Sequence, residues 1–420
     1  MSFNTISVIG LGYIGLPTAA AFASRQHSVV GVDVNRRAVE TINRGEIHIV
    51  EPDLEQVVST AVAEGYLRAS ERPVPADAFL IAVPTPFKGD HEPDLSYVRA
   101  AVESIAPVLV PGNLVILEST SPVGTTEQMA EWLAQARPDL TFPQQVGDAA
   151  QINVAYCPER VLPGKVMVEL IKNDRVVGGM TPTCSARACK LYRLFLEGEC
   201  VVTNSRTAEM CKLTENSFRD VNIAFANELS LICDEQQIDV WELIRLANRH
   251  PRVNILQPGP GVGGHCIAVD PWFIVAQNPA LARLIHTARL VNDAKPQWVV
   301  DQVKAAVAEA LVNTDKRPSE LRVACFGLAF KPDIDDLRES PALDVATRIA
   351  EWHTGETLLV EPNIRQLPDS LREKATLVDC ATALQAADVL VMLVDHRAFR
   401  AIAPEQVSQR WVVDTKGVWR

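Results

Sequence analysis

Three short stretches carry residues whose types and spacing could do chemistry. In "GPGVGGHCIAVDPW", Gly259–Trp272, four glycines and two prolines surround one thiol, Cys266. Gly and Pro at this density build a shaped loop rather than a helix or central strand, and leave room for a ligand to approach the backbone. A thiolate there could attack an aldehyde. The thiohemiacetal could lose a hydride to a nicotinamide cofactor, and the resulting thioester would hydrolyse to an acid. A free cysteine is as readily a small buried hydrophobe. The second stretch, "GLGYIG", places Gly10, Gly12 and Gly15 directly after the apolar run "ISVIG", with Asp33 following 18 residues after Gly15. Glycines at that spacing permit a tight turn and let backbone N–H groups meet a pyrophosphate. The acid suits a ribose diol and repels a 2′-phosphate, which favours NAD over NADP; Arg36 and Arg37 pull the other way. The third, "AEMCKLTENSFRD", sets Glu209, Lys212, Asn216 and Arg219 at helical spacing on one face. Lys212 and Asn216, one turn apart, could hold an alkoxide or carbonyl oxygen between a cation and an amide donor. Periodicity alone favours a solvated charged face.

The elements that must position these groups are legible as patterns. Buried-strand runs "TISVIG", "SVVGVDV", "AFLIAVPTP" and "NLVILEST" alternate with helical segments such as "PTAAAFAS", the βαβ rhythm of a parallel, doubly wound sheet. Thr85 and the run Thr120–Thr126 follow predicted strands, where such sheets bind ligands, although turn chemistry explains a threonine there as well. The pattern from about 207 to 236 predicts one long helix. A second helical region spans 280 to about 312, with Pro296 as an expected kink or break. "DKRPSE" at 315–320 reads as a linker, after which βα alternation resumes with "LRVACFGLAF", "PALDVATRIAEW", "ETLLVEP", "ADVLVMLVD" and "RWVVDTKG". The fold class expected is α/β, two Rossmann-like doubly wound domains joined by a long central helix and a helical middle domain. The boundaries expected are 1–200 for dinucleotide binding, 201–314 for the helical part, and 315–420 for the second sheet.

Composition narrows the function. The 420 residues carry a formal net charge of −12 and no basic stripe, which argues against nucleic-acid binding. There is no signal-peptide pattern and no apolar run long enough for a membrane span. The nine cysteines form no CxxC pair and fit no zinc spacing, so no metal is expected. They read as buried thiols of a reducing cytoplasm, with one reactive exception.

Taken in order, "GLGYIGLP", "VPTP", "ESTSPVGTTE", "CPERVLPG", "KLTENSFRDVNIAFANE", "GPGVGGHCIAVDP" and "FGLAFKPDIDDLRESPA" resemble the UDP-glucose/GDP-mannose dehydrogenase superfamily along essentially the whole chain. "PERVLPG" departs from the pattern of UDP-glucose dehydrogenases and is similar to the branch acting on UDP-N-acetylhexosamines, with UDP-N-acetyl-D-mannosamine as the implied substrate. That resemblance implies two oxidations by NAD to a uronic acid for a surface polysaccharide. It implies Cys266 as nucleophile, Lys212 as proton donor/acceptor or oxyanion cation with Asn216 beside it, Asp270 acting through water or on Lys212, and Glu159 in thioester hydrolysis. For the cofactor it implies Gly10, Gly12, Tyr13, Ile14, Gly15, Asp33, Thr85, Thr120, Thr126 and Arg338. For the nucleotide sugar it implies Arg160, Val161, Lys212, Asn216, Arg219, His250, Arg252, Gly263 and Lys331. It further implies a homodimer packed through the long helix, with Arg252 reaching the partner's sugar nucleotide. "FGLAF" stands where a second glycine fingerprint would be, which suits a uridine nucleotide better than a second NAD.

Other readings stay open at this level. UDP-N-acetylglucosamine or UDP-glucose could be the substrate, since no spacing reads one hydroxyl's stereochemistry. A two-electron hydroxyacid dehydrogenase would leave Cys266 idle. A non-catalytic nucleotide-sensing protein would bind without turnover.

Overall fold

The computed structural model describes residues 3–49, 51–162 and 164–419. Its backbone gathers into two compact units, Met1–Glu215 and Asn216–Arg420.

In the first unit the strands are β1 (Thr5–Ile9), β2 (Ser28–Val32), β3 (Leu67–Ser70), β4 (Ala78–Ile81), the short hairpin β5 (Phe87–Lys88) and β6 (Glu92–Pro93), β7 (Leu114–Leu117), β8 (Asn153–Tyr156), β9 (Arg175–Gly179) and β10 (Cys200–Asn204). The main sheet runs β10-β9-β8-β7-β4-β1-β2-β3. From β3 to β8 this is the Rossmann order, with the switch in direction between β1 and β4. Both faces are covered, so the strands are apolar throughout and alternate between two cores. On β1, Ile6 and Val8 join one core and Ile9 the other. On β4, Ala78 and Leu80 oppose Phe79 and Ile81 in the same way. One pair departs from the all-parallel expectation: β9 runs antiparallel to β8.

In the second unit the strands are β11 (Val323–Phe326), β12 (Thr357–Val360), β13 (Thr376–Leu377), β14 (Val389–Met392) and β15 (Trp411–Asp414), in the order β13-β12-β11-β14-β15, all parallel. Its first corner repeats that of the first unit. Gly10 donates its N–H to the Val32 carbonyl at 2.8 Å, and Gly327 donates to the Val360 carbonyl at 2.8 Å. Both glycines hold positive φ, +92° and +95°. Glu361, the residue after β12, then accepts from Leu328 N at 2.8 Å and Ala329 N at 3.1 Å, and its Oε2 meets His396 Nε2 at 2.9 Å. This buried carboxylate is paired with His396 and doubly hydrogen-bonded by the corner's backbone.

The long helix spans Ser205–Glu235, close to its expected bounds. The later one spans Arg283–Val312, starts three residues after the expected point, and is not broken at Pro296. Proline removes one N–H from the helix ladder, but Pro296 and Lys295 before it are buried, and packing outweighs that loss. The linker 315–320 contains a 3-10 turn, Pro318–Glu320. "AFLIAVPTP" is strand only over Ala78–Ile81.

Candidate active site

Within the first unit, the glycine corner has the shape that a dinucleotide requires. A Cβ on Gly15 would stand 1.8 Å from the Gly10 carbonyl oxygen, so only glycine lets the first helix, Gly15–Ala23, start this close to β1. Gly12 is different: a Cβ there would meet nothing within 4 Å. The bare backbone at Gly12 faces open space. The helix it leads into has no side-chain cap and no acid in its first turn, so its positive end is left for an anion. Tyr13 and Ile14 form the rim of this corner, with Tyr13 exposed. Asp33 Oδ2 accepts from Leu11 N at 2.9 Å and Oδ1 from Asn35 N at 2.8 Å. The backbone thus fixes this carboxylate at the corner's edge, with lone pairs left for a ribose diol. Arg36 is drawn to Glu40 at 2.9 Å. Asp33→Ala is expected to raise KM for NAD about tenfold or more, from loss of hydrogen bonds to a charged group, and to narrow the gap to NADP. An unchanged NAD/NADP ratio in initial-rate measurements would count against this placement of the adenosine end.

The loops after β4 and β7 are tied together. Thr85 Oγ1 donates to the Thr120 carbonyl at 2.5 Å, and Ser119 Oγ to the Val83 carbonyl at 2.7 Å. Thr126 has a different place from Thr120. Its N–H and hydroxyl both donate to Glu209 Oε1, at 2.8 and 2.6 Å, while Gly124 N donates to Oε2 at 2.6 Å. Glu209, fully buried, caps the helix Thr125–Ala136 from the long helix. Burial pushes its carboxyl pKa up, against the pull of those donors. The face shared by Glu209 and Asn216 is therefore not a solvated stripe, since both are buried. Lys212, half-buried, follows Glu209 by one turn, and Arg160 grips Glu215 on the same helix through Nε at 3.1 Å and a second nitrogen at 2.7 Å. Val161 packs at the edge of a core. Glu159 is buried, accepting from Arg175 at 2.8 Å and from Arg160 N at 2.7 Å.

Within the second unit, Asn216 donates to the Asp270 carboxylate, and both are buried. Cys266 is exposed, whereas Cys157, Cys184, Cys189, Cys200, Cys233 and Cys325 are buried, and none of the nine described cysteines is in a disulfide. The Cys266 carbonyl accepts from Asp270 N at 2.8 Å and Val269 N at 3.1 Å. It thus joins directly to the helix Asp270–Gln277, and Asp270, Pro271 and Trp272 lie in that helix's first turn rather than in the expected loop. Gly263 and Gly264 press against the segment that precedes the helix Pro341–Trp352. A Cβ on Gly263 would lie 2.3 Å from the Glu339 carbonyl oxygen, and one on Gly264, whose φ is +84°, 2.9 Å from the Phe330 ring. The start of the loop is held as well: Gly259 N donates to Asn227 Oδ1 at 2.9 Å, and Asn227 donates to Asn292 at 2.9 Å. Arg338 is clamped by Asp336, at 2.8 and 2.7 Å, and Lys331 is half-buried nearby in sequence. Arg219, His250 and Arg252 are exposed, the last two in the turn after the helix Val240–Ala247.

Glu118, Arg175, Tyr192, Asn227 and Glu361 carry much of this architecture and escape a reading by motif. Glu118, Asn227 and Glu361 fall within the stretches "ESTSPVGTTE", "KLTENSFRDVNIAFANE" and "ETLLVEP", where nothing in the pattern marks them out, and Arg175 and Tyr192 fall in none.

A glycine-corner dinucleotide fold followed by an exposed thiol in a glycine loop defines a class: nicotinamide-dependent dehydrogenases equipped for covalent chemistry. The profile of the UDP-glucose/GDP-mannose dehydrogenase family matches in three parts, its NAD-binding domain at residues 4–196, its central domain at 206–294 and its UDP-binding domain at 324–420. The chain belongs to this family and is an NAD-dependent oxidoreductase. It is 79% identical to a UDP-N-acetyl-D-mannosamine dehydrogenase of Yersinia pestis and 77% identical to one of Escherichia coli strain K12, each over 100% of both chains. It is similar in structure to a UDP-D-ManNAc dehydrogenase from Pyrococcus horikoshii, with TM-score 0.87 and 38% identity over 99% of this chain and 96% of that one.

Proposed function

We propose that this chain oxidises UDP-N-acetyl-D-mannosamine at C6, in two NAD-dependent steps, to UDP-N-acetyl-D-mannosaminuronic acid, a building block of a surface polysaccharide, the enterobacterial common antigen. The observation that carries this reading is the exposed Cys266, set in a rigid glycine loop, in a chain whose first sheet has an open dinucleotide corner. The full-length likeness to dehydrogenases named for that sugar selects the substrate. The parts 1–200, 201–314 and 315–420 serve NAD, the covalent chemistry and the UDP group in turn. The site of action is the cytoplasm, where thiols stay reduced.

Bound NAD accepts one hydride in each of the two oxidations. As C6 loses its first hydride, Lys212 takes the hydroxyl proton, and the Asn216 amide, oriented by Asp270, donates to the developing oxygen. The Cys266 sulfur then adds to the aldehyde: the S–C bond forms as the C=O π bond breaks, and the thiol's proton passes by way of Lys212 to the oxygen. Loss of the second hydride and of that proton leaves a thioester on Cys266. Glu159 takes a proton from water, the hydroxide adds to the thioester carbon, the C–S bond breaks, and the sulfur leaves with the proton that Glu159 took. Arg160, Arg219, His250, Arg252, Gly263 and Lys331 hold the nucleotide sugar, with Arg supplying bidentate grip on its phosphates.

The test is the yield of NADH per sugar consumed over a panel of UDP-sugars. Two NADH per UDP-N-acetyl-D-mannosamine, with the uronic acid as product, supports the reading. One NADH with an aldehyde product would return the two-electron alternative, and preference for UDP-N-acetylglucosamine or UDP-glucose would move the substrate.

A homodimer through the long helix belongs to the same proposal. Phe218, Phe225 and Ile232 stand seven residues apart on that helix and are 67, 52 and 44% exposed. An apolar seam at this period is what a partner helix covers. Phe225→Glu is expected to give monomers in sedimentation and, because Arg252 serves the partner's site, to raise KM for the sugar nucleotide. A persistent dimer would refute the seam; monomers with unchanged KM would assign Arg252 to its own chain.

A further inference from the structure

Behind the carboxyl ends of β7 and β8 lies a fully buried charge cluster that the steps above leave unused. Glu118 follows β7, Cys157 and Glu159 follow β8, Arg175 opens β9, and Tyr192 ends the helix Pro182–Tyr192. The Arg175 guanidinium stands between the two acids, 2.8 Å from Glu159 and 3.8 Å from Glu118 Oε1. It also lies over the Tyr192 ring, 4.5 Å from its centre. Both oxygens of Glu159 are engaged, one by Arg175 and one by Arg160 N. Glu118 is less well held. Tyr192 donates to its Oε1 at 2.7 Å, while Oε2 has no hydrogen-bond partner. Thr18, from the first helix, and the Cys157 thiol complete its surroundings.

Two carboxylates and one guanidinium, out of water, cannot all be charged cheaply. Glu159 has the better donors, so Glu118 is the acid that keeps a proton. Burial, set against Arg175 and reinforced by the Glu159 charge, pushes its carboxyl up to about 7. Glu118 therefore changes charge in the range where the enzyme works, behind the group that must take a proton from water.

We propose that Glu118 is a positioning residue for the acid-forming step: it holds its proton below neutrality while Glu159 carries the charge, and its own ionisation adds negative potential beside Glu159 that draws the proton from the attacking water. The proposal rests on the reading of Glu159 as the residue serving thioester hydrolysis. It predicts that hydrolysis quickens as Glu118 loses its proton, without a change in sugar affinity.

The test uses the full-length enzyme. Thioester hydrolysis is followed in single turnover, against the rate of NADH formation, from about pH 6 to about pH 8. The wild-type hydrolysis rate should climb roughly threefold to tenfold across that range beyond what Glu159 alone gives, and Glu118→Gln, which keeps the shape and the acceptor for Tyr192, should lose this rise at unchanged KM. A rise of wild-type size in Glu118→Gln would overturn the coupling. Glu159→Gln separates the two claims. It should accumulate the thioester at every pH, and wild-type hydrolysis in that variant would overturn the role of Glu159 and the coupling with it.

Thermal unfolding reads the proton on Glu118 without reference to Glu159. With a carboxyl pKa of 4.5 unfolded and about 7 folded, the native state binds the extra proton in between, so stability falls as pH rises through that window and levels off above it. Glu118→Gln lacks this loss. Its Tm relative to wild type should rise by about 3 °C or more between about pH 5 and about pH 8. A Tm difference that does not change with pH would overturn Glu118 as the proton holder.

Discussion

Replacing Cys266 by Ala is expected to leave a folded protein that binds NAD and makes no uronic acid. The side chain is exposed and contributes little to any core, so stability should change by less than about 0.5 kcal/mol. The glycines that shape the loop are untouched, and the loop's anchor from Gly259 to Asn227 remains. What disappears is the sulfur on which the proposed second oxidation takes place. Without an S–C bond there is no thioester to hydrolyse, and acid formation should fall by about 10⁴-fold or more, the scale seen when a nucleophile is removed. Product analysis by mass, alongside NADH counted per enzyme, decides the matter. Uronic acid at near wild-type rate would end the covalent mechanism, because no other described thiol is fully exposed on the surface.

Lys212→Ala should depress turnover by about 10²–10³-fold while changing KM for the sugar nucleotide by much less. Charge on the substrate oxygen develops chiefly in the transition state, and an interaction realised there acts on kcat. The surrounding helix should survive the change, since Ala is a better helix former than Lys and the buried anchors on this face, Glu209 and Asn216, keep their partners. Near-normal kcat in initial-rate measurements would mean that the half-buried ammonium is only solvated charge. Loss of affinity without loss of kcat would make Lys212 a binding residue alone.

The parts of this molecule that the sequence discloses are those whose physical demands are local. Gly10 and Gly15 follow a buried strand within a few residues because Gly15 must nearly touch the Gly10 carbonyl. The helix Pro341–Trp352 is bounded by Ser340 as its N-cap, Pro341 at its start and a clear apolar stripe. Where several elements meet, the pattern is silent. Glu118, Glu159, Arg175 and Tyr192 converge from the ends of β7, β8, β9 and a helix, at separations that no period encodes. Glu209 was visible as part of a polar face, but its task as a cap for the helix Thr125–Ala136 follows only from tertiary packing. Glu361 repeats the role of Asp33 at 34 residues from Gly327, instead of 23 from Gly10, because a longer loop precedes the helix there. At Pro296 local preference is for a kink or break, and the buried packing around it carries the helix through without a break.

The glycine corner of the first sheet also sets an order of events in time. That corner lies in the part that matches the family's NAD-binding domain, the corner led by Gly327 in the part that matches its UDP-binding domain, and the proposed reaction needs the first corner twice. The first spent cofactor must depart and a fresh one arrive while the half-oxidised sugar waits. A free aldehyde would diffuse away or react elsewhere during that exchange, whereas one bonded to Cys266 cannot. In the proposed reaction the thiol is therefore a mooring as well as a reagent, and throughput would depend on how fast the seat can be vacated and refilled.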